Sequence, residues 1–184
     1  MAVASKEEVL LRLLLEQSPL REWHFEELRG ATGMTRAALN KWLKRYLAEG
    51  FLTKKKEEGR FPVYTAGSNN TLYLVRKRLF ALEQIYRSGL IQHLLNLKKA
   101  KTVIVFGSMT KGDWYKDSDL DLFIFGDDEG FDKKLYESKL GRTIEVHVFE
   151  NKDELKAVTT GLLRNVMNGY LVKGDLHDLA EAGV

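Results

Sequence analysis

Cysteine is absent from the 184 residues. A disulfide framework, a thiol nucleophile and a thiolate metal site are therefore excluded, and a cytoplasmic location is the expectation. Histidine is scarce. The four at positions 24, 93, 147 and 177 show no zinc-motif spacing. No uninterrupted apolar run approaches the roughly eighteen residues of a membrane span. "VLLRLLLEQ" near the start is broken by Arg12 and followed by charge, so it reads as an amphipathic helix and not a signal peptide. Internal repeats and low-complexity segments are also missing.

What is present suits one large domain or two small ones, with 44% apolar residues to fill a core. The net charge of +3 hides an asymmetry. Residues 1–100 carry 18 Lys/Arg against 10 Asp/Glu, a net +8, whereas residues 101–184 carry a net −5. A basic front half points to a polyanionic partner. An acidic back half points to bound cations or a solvated surface.

Ser5-Lys6-Glu7-Glu8 has the form of a capping box and predicts a helix to about Gln17, with Val9, Leu10, Leu13 and Leu14 on one side. A short helix is expected at Phe25 to Thr32, then a turn at Gly33 with Thr35 as N-cap. A third helix should run from Arg36 to about Glu49 and stop at Gly50. At 100° per residue, Leu39, Trp42, Leu43, Tyr46 and Leu47 share one face, and Arg36, Asn40, Lys41 and Lys44 the other. "FLTKKKEEGRFPVYTAG", Phe51 to Gly67, reads as a β-hairpin with a basic tip. Residues 5–67 thus resemble the winged helix-turn-helix domains of prokaryotic regulators. The resemblance implies DNA contacts from Arg36, Asn40, Lys41 and Lys44 on the recognition helix, and phosphate contacts from Lys54, Lys55, Lys56 and Arg60 on the wing.

Between Asn69 and Lys99, Leu72, Leu79, Leu82, Ile85 and Tyr86 recur at helical spacing, as do Leu90, Ile91, Leu94 and Leu95. Ser88-Gly89 marks a kink or break. This helical linker is expected either to form a homodimer contact or to pack as a spacer.

"KTVIVFGS" reads as a buried strand ending at Gly107. In a strand from Asp119 to Phe125, alternation puts Asp119, Asp121 and Phe123 on the face opposite Leu120, Leu122 and Ile124. "GRTIEVHVFE" is a further strand, with Glu145 and His147 opposite Ile144, Val146 and Val148. If the two strands pair, Glu145 can join Asp119 and Asp121. Three carboxylates on one face repel one another unless a hard cation such as Mg²⁺ sits among them. His147 is expected to be an ordinary satisfied strand histidine, and Trp114 and Tyr115 either stack on a base or anchor their loop on the core. Three other motifs fail. Asp113-Trp114 stands where a P-loop needs Lys-Ser/Thr. Leu122 stands where an EF-hand beginning at Asp117 needs glycine. The charged "YKDS" precedes the Asp-x-Asp, where a phosphatase of the aspartyl-phosphate type would have an apolar strand.

Phe106-Gly107-Ser108, ten residues, Asp119-Leu120-Asp121-Leu122 and the later Ile144-Glu145-Val146 resemble the nucleotidyltransferase superfamily that includes DNA polymerase β. The chain resembles in particular the small, minimal nucleotidyltransferases of archaea and bacteria. The resemblance covers about residues 100–174, including the ending "NGYLVKGD", with Lys111 where many relatives have arginine and Thr110 where alanine is usual. It implies two Mg²⁺ ions and an NTP substrate, ATP foremost. Asp119, Asp121 and Glu145 would be the metal-binding and catalytic residues, and Gly107, Ser108 and Lys111 would bind the nucleotide. It implies, too, an acceptor hydroxyl on a small helical toxin of the HEPN class, with the chain as a self-regulating antitoxin. The alternatives are a DNA-binding regulator that only senses nucleotide, and a small-molecule modifier of the aminoglycoside nucleotidyltransferase kind. The expected fold is α+β, in three parts. Residues 1–67 form a winged helix and 68–99 a helical linker. Residues 100–184 form a nucleotidyltransferase domain with a small mixed sheet flanked by helices.

Overall fold

A computed structural model describes residues 5–180. The chain divides into two compact units, Met1–Lys77 and Arg78–Val184.

In the first unit, the Ser5 hydroxyl accepts a hydrogen bond from the Glu8 backbone N–H at 3.1 Å and opens α1 (Lys6–Glu16). This helix buries Leu10, Leu14 and Leu15, so its apolar face is turned slightly from the predicted one. After β1 (Trp23–His24) come α2 (Phe25–Thr32) and α3 (Arg36–Ala48). Gly33, at φ +60°, ends α2 in the left-handed conformation that glycine adopts without strain. Thr35 then caps α3. Leu39, Leu43 and Tyr46 are buried, and Arg36, Asn40, Lys41 and Lys44 are exposed. The Tyr46 hydroxyl donates to Glu7 Oε1 at 3.3 Å. Burial, then the Glu7 charge, push its phenol well above the usual tyrosine range. The hairpin β2 (Leu52–Lys55) and β3 (Val63–Ala66) pairs antiparallel with Leu52 opposite Ala66. β1 adds to its free edge through Trp23 opposite Tyr64. Two residues are too few to display a strand period, so β1 has no sequence signal of its own.

The unit boundary falls inside α4 (Thr71–Arg87), and Gly89 at φ +83° separates α4 from α5 (Leu90–Leu95). In the second unit α4 buries Phe80, Ala81 and Ile85, while Leu79 and Tyr86 are exposed. The set that recurs at helical spacing therefore mixes faces: Leu72, Leu79 and Tyr86 lie outward, and Ile85 is buried. There follow β4 (Ala100–Phe106), α6 (Ser108–Lys111), β5 (Leu120–Gly126), α7 (Lys133–Leu140), β6 (Ile144–Phe149), α8 (Lys152–Lys156), α9 (Thr160–Met167), β7 (Tyr170–Lys173) and α10 (His177–Ala180).

The strand order is β6-β5-β4-β7. β4 runs antiparallel to β5 and β7, and β5 and β6 run parallel, so the sheet is small and mixed as predicted. β5 is buried on both faces, which is why its sequence is a nearly continuous apolar run. On one face Ile104, Phe106, Phe123 and Phe125 pack with Leu155, Val166 and Leu179 from α8, α9 and α10. Leu120, Leu122 and Ile124, on the other, are equally buried. "NGYLVKGD" supplies the edge strand β7, an element that alternation alone did not announce. Among the described residues no helix is long and apolar enough to cross a membrane.

Candidate active site

β4 delivers the chain to the site. Its last residue, Phe106, pairs with Asp121 on β5. The next residue, Gly107, takes φ +77° and ψ −152°, a region essentially reserved for glycine. A Cβ added there would lie within 2.8 Å of Asp121 Cγ and would collide with its carboxylate. Gly107 therefore does two things: it turns the chain, and it leaves the space that the Asp121 side chain occupies.

The parallel pairing of β5 and β6 sets Asp121 opposite Glu145 and Phe123 opposite His147. Side chains alternate along both strands, so Asp121, Glu145 and His147 share one face. One carboxylate oxygen each from Asp121 and Glu145 and one ring nitrogen of His147 all lie within 4.8 Å of one another. His147 Nε2 is 3.5 Å from Glu145 Oε1, and its ring packs against Phe106 with centroids 5.5 Å apart. His147, expected as an ordinary strand residue, lies in this cluster. The signal was available in its i, i+2 relation to Glu145. Asp119 lies one residue before β5 and is exposed. It stands outside the three-residue group, though its charge still acts on Asp121.

The Asp121 carboxyl is pushed up from its ordinary value, first by burial and then by the negative charge of Glu145. Asp119 adds to the rise, and His147 and Lys111 oppose it. Anions that hinder one another's ionisation are suited to a shared cation. Two atoms on one ion with bonds of about 2.0–2.2 Å lie no more than about 4.4 Å apart. Three donors that share one ion lie closer still, about 3.0–3.6 Å apart for bonds of that length, so from a spread of up to 4.8 Å the side chains close inward to bind one. Asp121, Glu145 and His147 thus fit a divalent metal.

The loop between α6 and β5 is tied down on both sides. Trp114 is buried and stacks on Phe80 with planes 9° apart, so it anchors the loop on the core. Tyr115 is 42% exposed. Arg142, in the turn before β6, donates from Nη1 to the Ser118 carbonyl at 2.8 Å and the Tyr115 carbonyl at 3.4 Å. Sequence reasoning missed Arg142, because nothing local marks an arginine whose partners lie more than twenty residues away. Ser108 is half-buried at the start of α6. Lys111 is exposed and donates from Nζ to Asn165 Oδ1 on α9 at 2.8 Å.

In the first unit the polar residues singled out by sequence are all exposed, and some of the basic ones are paired. Arg36 pairs with Glu26 at 2.6 Å, and Lys55 and Arg60 both pair with Glu57, at 2.8 and 2.9 Å. The hairpin tip is therefore partly neutralised from within. Asn40, Lys41 and Lys44 are exposed on α3 and hold no ion pair with another described residue.

Comparison with known proteins finds no curated protein and no solved structure that matches the chain. Residues 88–173 match the family model for a nucleotidyltransferase domain, and nucleotidyl transfer is the general activity the match supports.

Proposed function

We propose that the second unit transfers AMP from ATP to an acceptor hydroxyl, and that the first unit binds DNA as a winged helix. The observation that carries the enzymatic reading is the Asp121 carboxylate seated over Gly107 with Glu145 in register beside it. The acceptor oxygen attacks the α-phosphorus, a new P–O bond forms, the α–β bridging P–O bond breaks and pyrophosphate leaves. Asp121 and Glu145 would hold the cation, with Asp119 joining them in the two-Mg²⁺ set that the family resemblance implies. When bound, divalent ions neutralise triphosphate charge and lower the pKa of the attacking hydroxyl. Gly107 lets phosphate approach the backbone, and the Ser108 hydroxyl donates to a phosphate oxygen. Lys111, steadied by Asn165, adds positive charge at the same end of the sheet. Glu145, the more exposed carboxylate, takes the proton of the acceptor hydroxyl.

The resemblance to minimal nucleotidyltransferases suggests as acceptor a tyrosine on a small helical toxin of the HEPN class. The net +8 of residues 1–100 and the exposed Asn40, Lys41 and Lys44 support autoregulation through DNA. A second reading is a regulator whose nucleotidyltransferase-like unit senses nucleotide without turnover. It draws on the exposed position of Asp119 outside the close group. The test is incubation with Mg²⁺, ATP labelled at the α-phosphate and a co-purifying helical partner, with Asp121→Asn as control. Label on the partner that is lost in the variant supports transfer. Nucleotide binding without label on any acceptor favours the sensor.

A further inference from the structure

We infer that His147 is a metal ligand, and that Asp121, Glu145 and His147 form a site that takes Mn²⁺ in preference to Mg²⁺. The inference rests on the proposed metal-dependent reading and adds a ligand and a metal preference to it.

Three observations lead there. First, His147 follows Glu145 by two residues on β6, so the strand places imidazole and carboxylate on one face. The β5 register brings Asp121 to the same place. Second, the ring nitrogen lies within 4.8 Å of oxygens on both acids. The approach of Nε2 to Glu145 is 3.5 Å, longer than a formed N–H···O bond. The imidazole thus sits beside the carboxylate without a short hydrogen bond to it, its side chain 25% exposed, with the Phe106 ring packed against it. Third, Asp119, the acid that the superfamily pattern would have supplied, is exposed and outside the group. In this arrangement His147 occupies the third ligand position.

The chemistry of the donors then decides the metal. Mg²⁺ is hard and takes oxygen ligands almost exclusively. Imidazole suits borderline transition ions, and carboxylate suits Mn²⁺ as well as Mg²⁺. Two carboxylates and one imidazole therefore favour Mn²⁺ over Mg²⁺. Zn²⁺ also accepts these donors, so the preference inferred is the one over Mg²⁺.

The test uses the full chain and the metals alone. Bound Mn²⁺ is counted by loss of the free-ion EPR signal, Mg²⁺ is measured by competition, and electron-spin-echo modulation reports nitrogen bonded to Mn²⁺. In the wild type we expect nitrogen modulation and Mn²⁺ binding at least about tenfold tighter than Mg²⁺ binding. His147→Asn should abolish the modulation and weaken Mn²⁺ about ten- to hundredfold, with Mg²⁺ changed by less than about twofold. Bound Mn²⁺ without nitrogen modulation in the wild type overturns the inference, as does an equal loss of both ions in the variant. The wild-type spectrum needs no substitution, so it decides even if His147→Asn fails to fold. His147→Gln gives a second side chain. Asp121→Asn separates the two levels. If it removes Mn²⁺ binding while His147→Asn does not, the ligand assignment falls and the metal-dependent reading stands. If Asp121→Asn leaves Mn²⁺ bound, both fall.

Discussion

Asp121 ionises against burial and against Glu145, and this gives it a measurable signature. Its folded pKa lies above its unfolded one, so between the two values the folded state holds the extra proton. The sign follows: stability falls as pH rises through that interval. Without metal, Asp121→Asn should therefore melt above the wild type at pH 7, with the difference closing below about pH 4. Saturating divalent metal should reverse the order, because only the wild type gains from binding. A metal-free variant that melts lower at pH 7 would show that the carboxylate is held by contacts that outweigh its isolation. Gly107→Ala meets both the Asp121 carboxylate and a backbone angle closed to alanine. A cost of about 1–3 kcal/mol in urea unfolding and loss of transfer are expected; an unchanged rate would remove the seat from the mechanism. Arg142 acts at one remove, through the Ser118 and Tyr115 carbonyls. Arg142→Lys keeps the charge but not the planar fork. It should lower kcat with little change in nucleotide affinity, and faster amide exchange at Ser118 and Asp119 should accompany the drop.

Elements differ in how plainly the sequence announces them. α2 and α3 begin and end where Gly33, Thr35 and Gly50 predict, because caps and left-handed glycines act within a few residues. β5 was legible as a short apolar run and β6 from its period of two, and so was Glu145 on the acid face, since alternation is a local property. Asp121 over Gly107 was legible as spacing but not as a steric seat, which depends on β4 and β5 meeting at Phe106. His147 was set aside because one strand shows its face but not what the neighbouring strand presents to it. α4 is the clearest case of an undecidable pattern. The recurring set held both the exposed Leu79 and Tyr86 and the buried Ile85, and only packing shows that Phe80 and Ala81 share the buried side with Ile85. A matched pair of substitutions checks that assignment. Phe80→Ala should cost about 3–5 kcal/mol, because it empties the space beside Trp114. Leu79→Ala, at 60% exposure, should stay within about 0.5 kcal/mol. Comparable costs from urea denaturation would mean that both sides are covered.

At the scale of the whole molecule the uneven charge is the leading fact, +8 over residues 1–100 and −5 beyond. The proposed DNA contact should be salt-dependent, and replacing both Lys41 and Lys44 by alanine should flatten the log–log slope by about two contacts' worth, near 1.8. Replacing Lys55, already paired with Glu57, should change it less. An unchanged slope in the α3 double variant would remove that helix from the interface. Parallel pairing of β5 with β6 has a consequence for how errors sort themselves. A slip of one residue in β6 would turn Ile144, Val146 and Val148 out of the packed layer in the same motion that turns Glu145 and His147 away from Asp121. A form slipped by one residue therefore cannot keep its packing and lose only Glu145 and His147 from the site, so packing selects against that error together with the misplaced site. Single-residue insertions should be borne in the turn before Lys133 and rejected inside Ile144–Phe149.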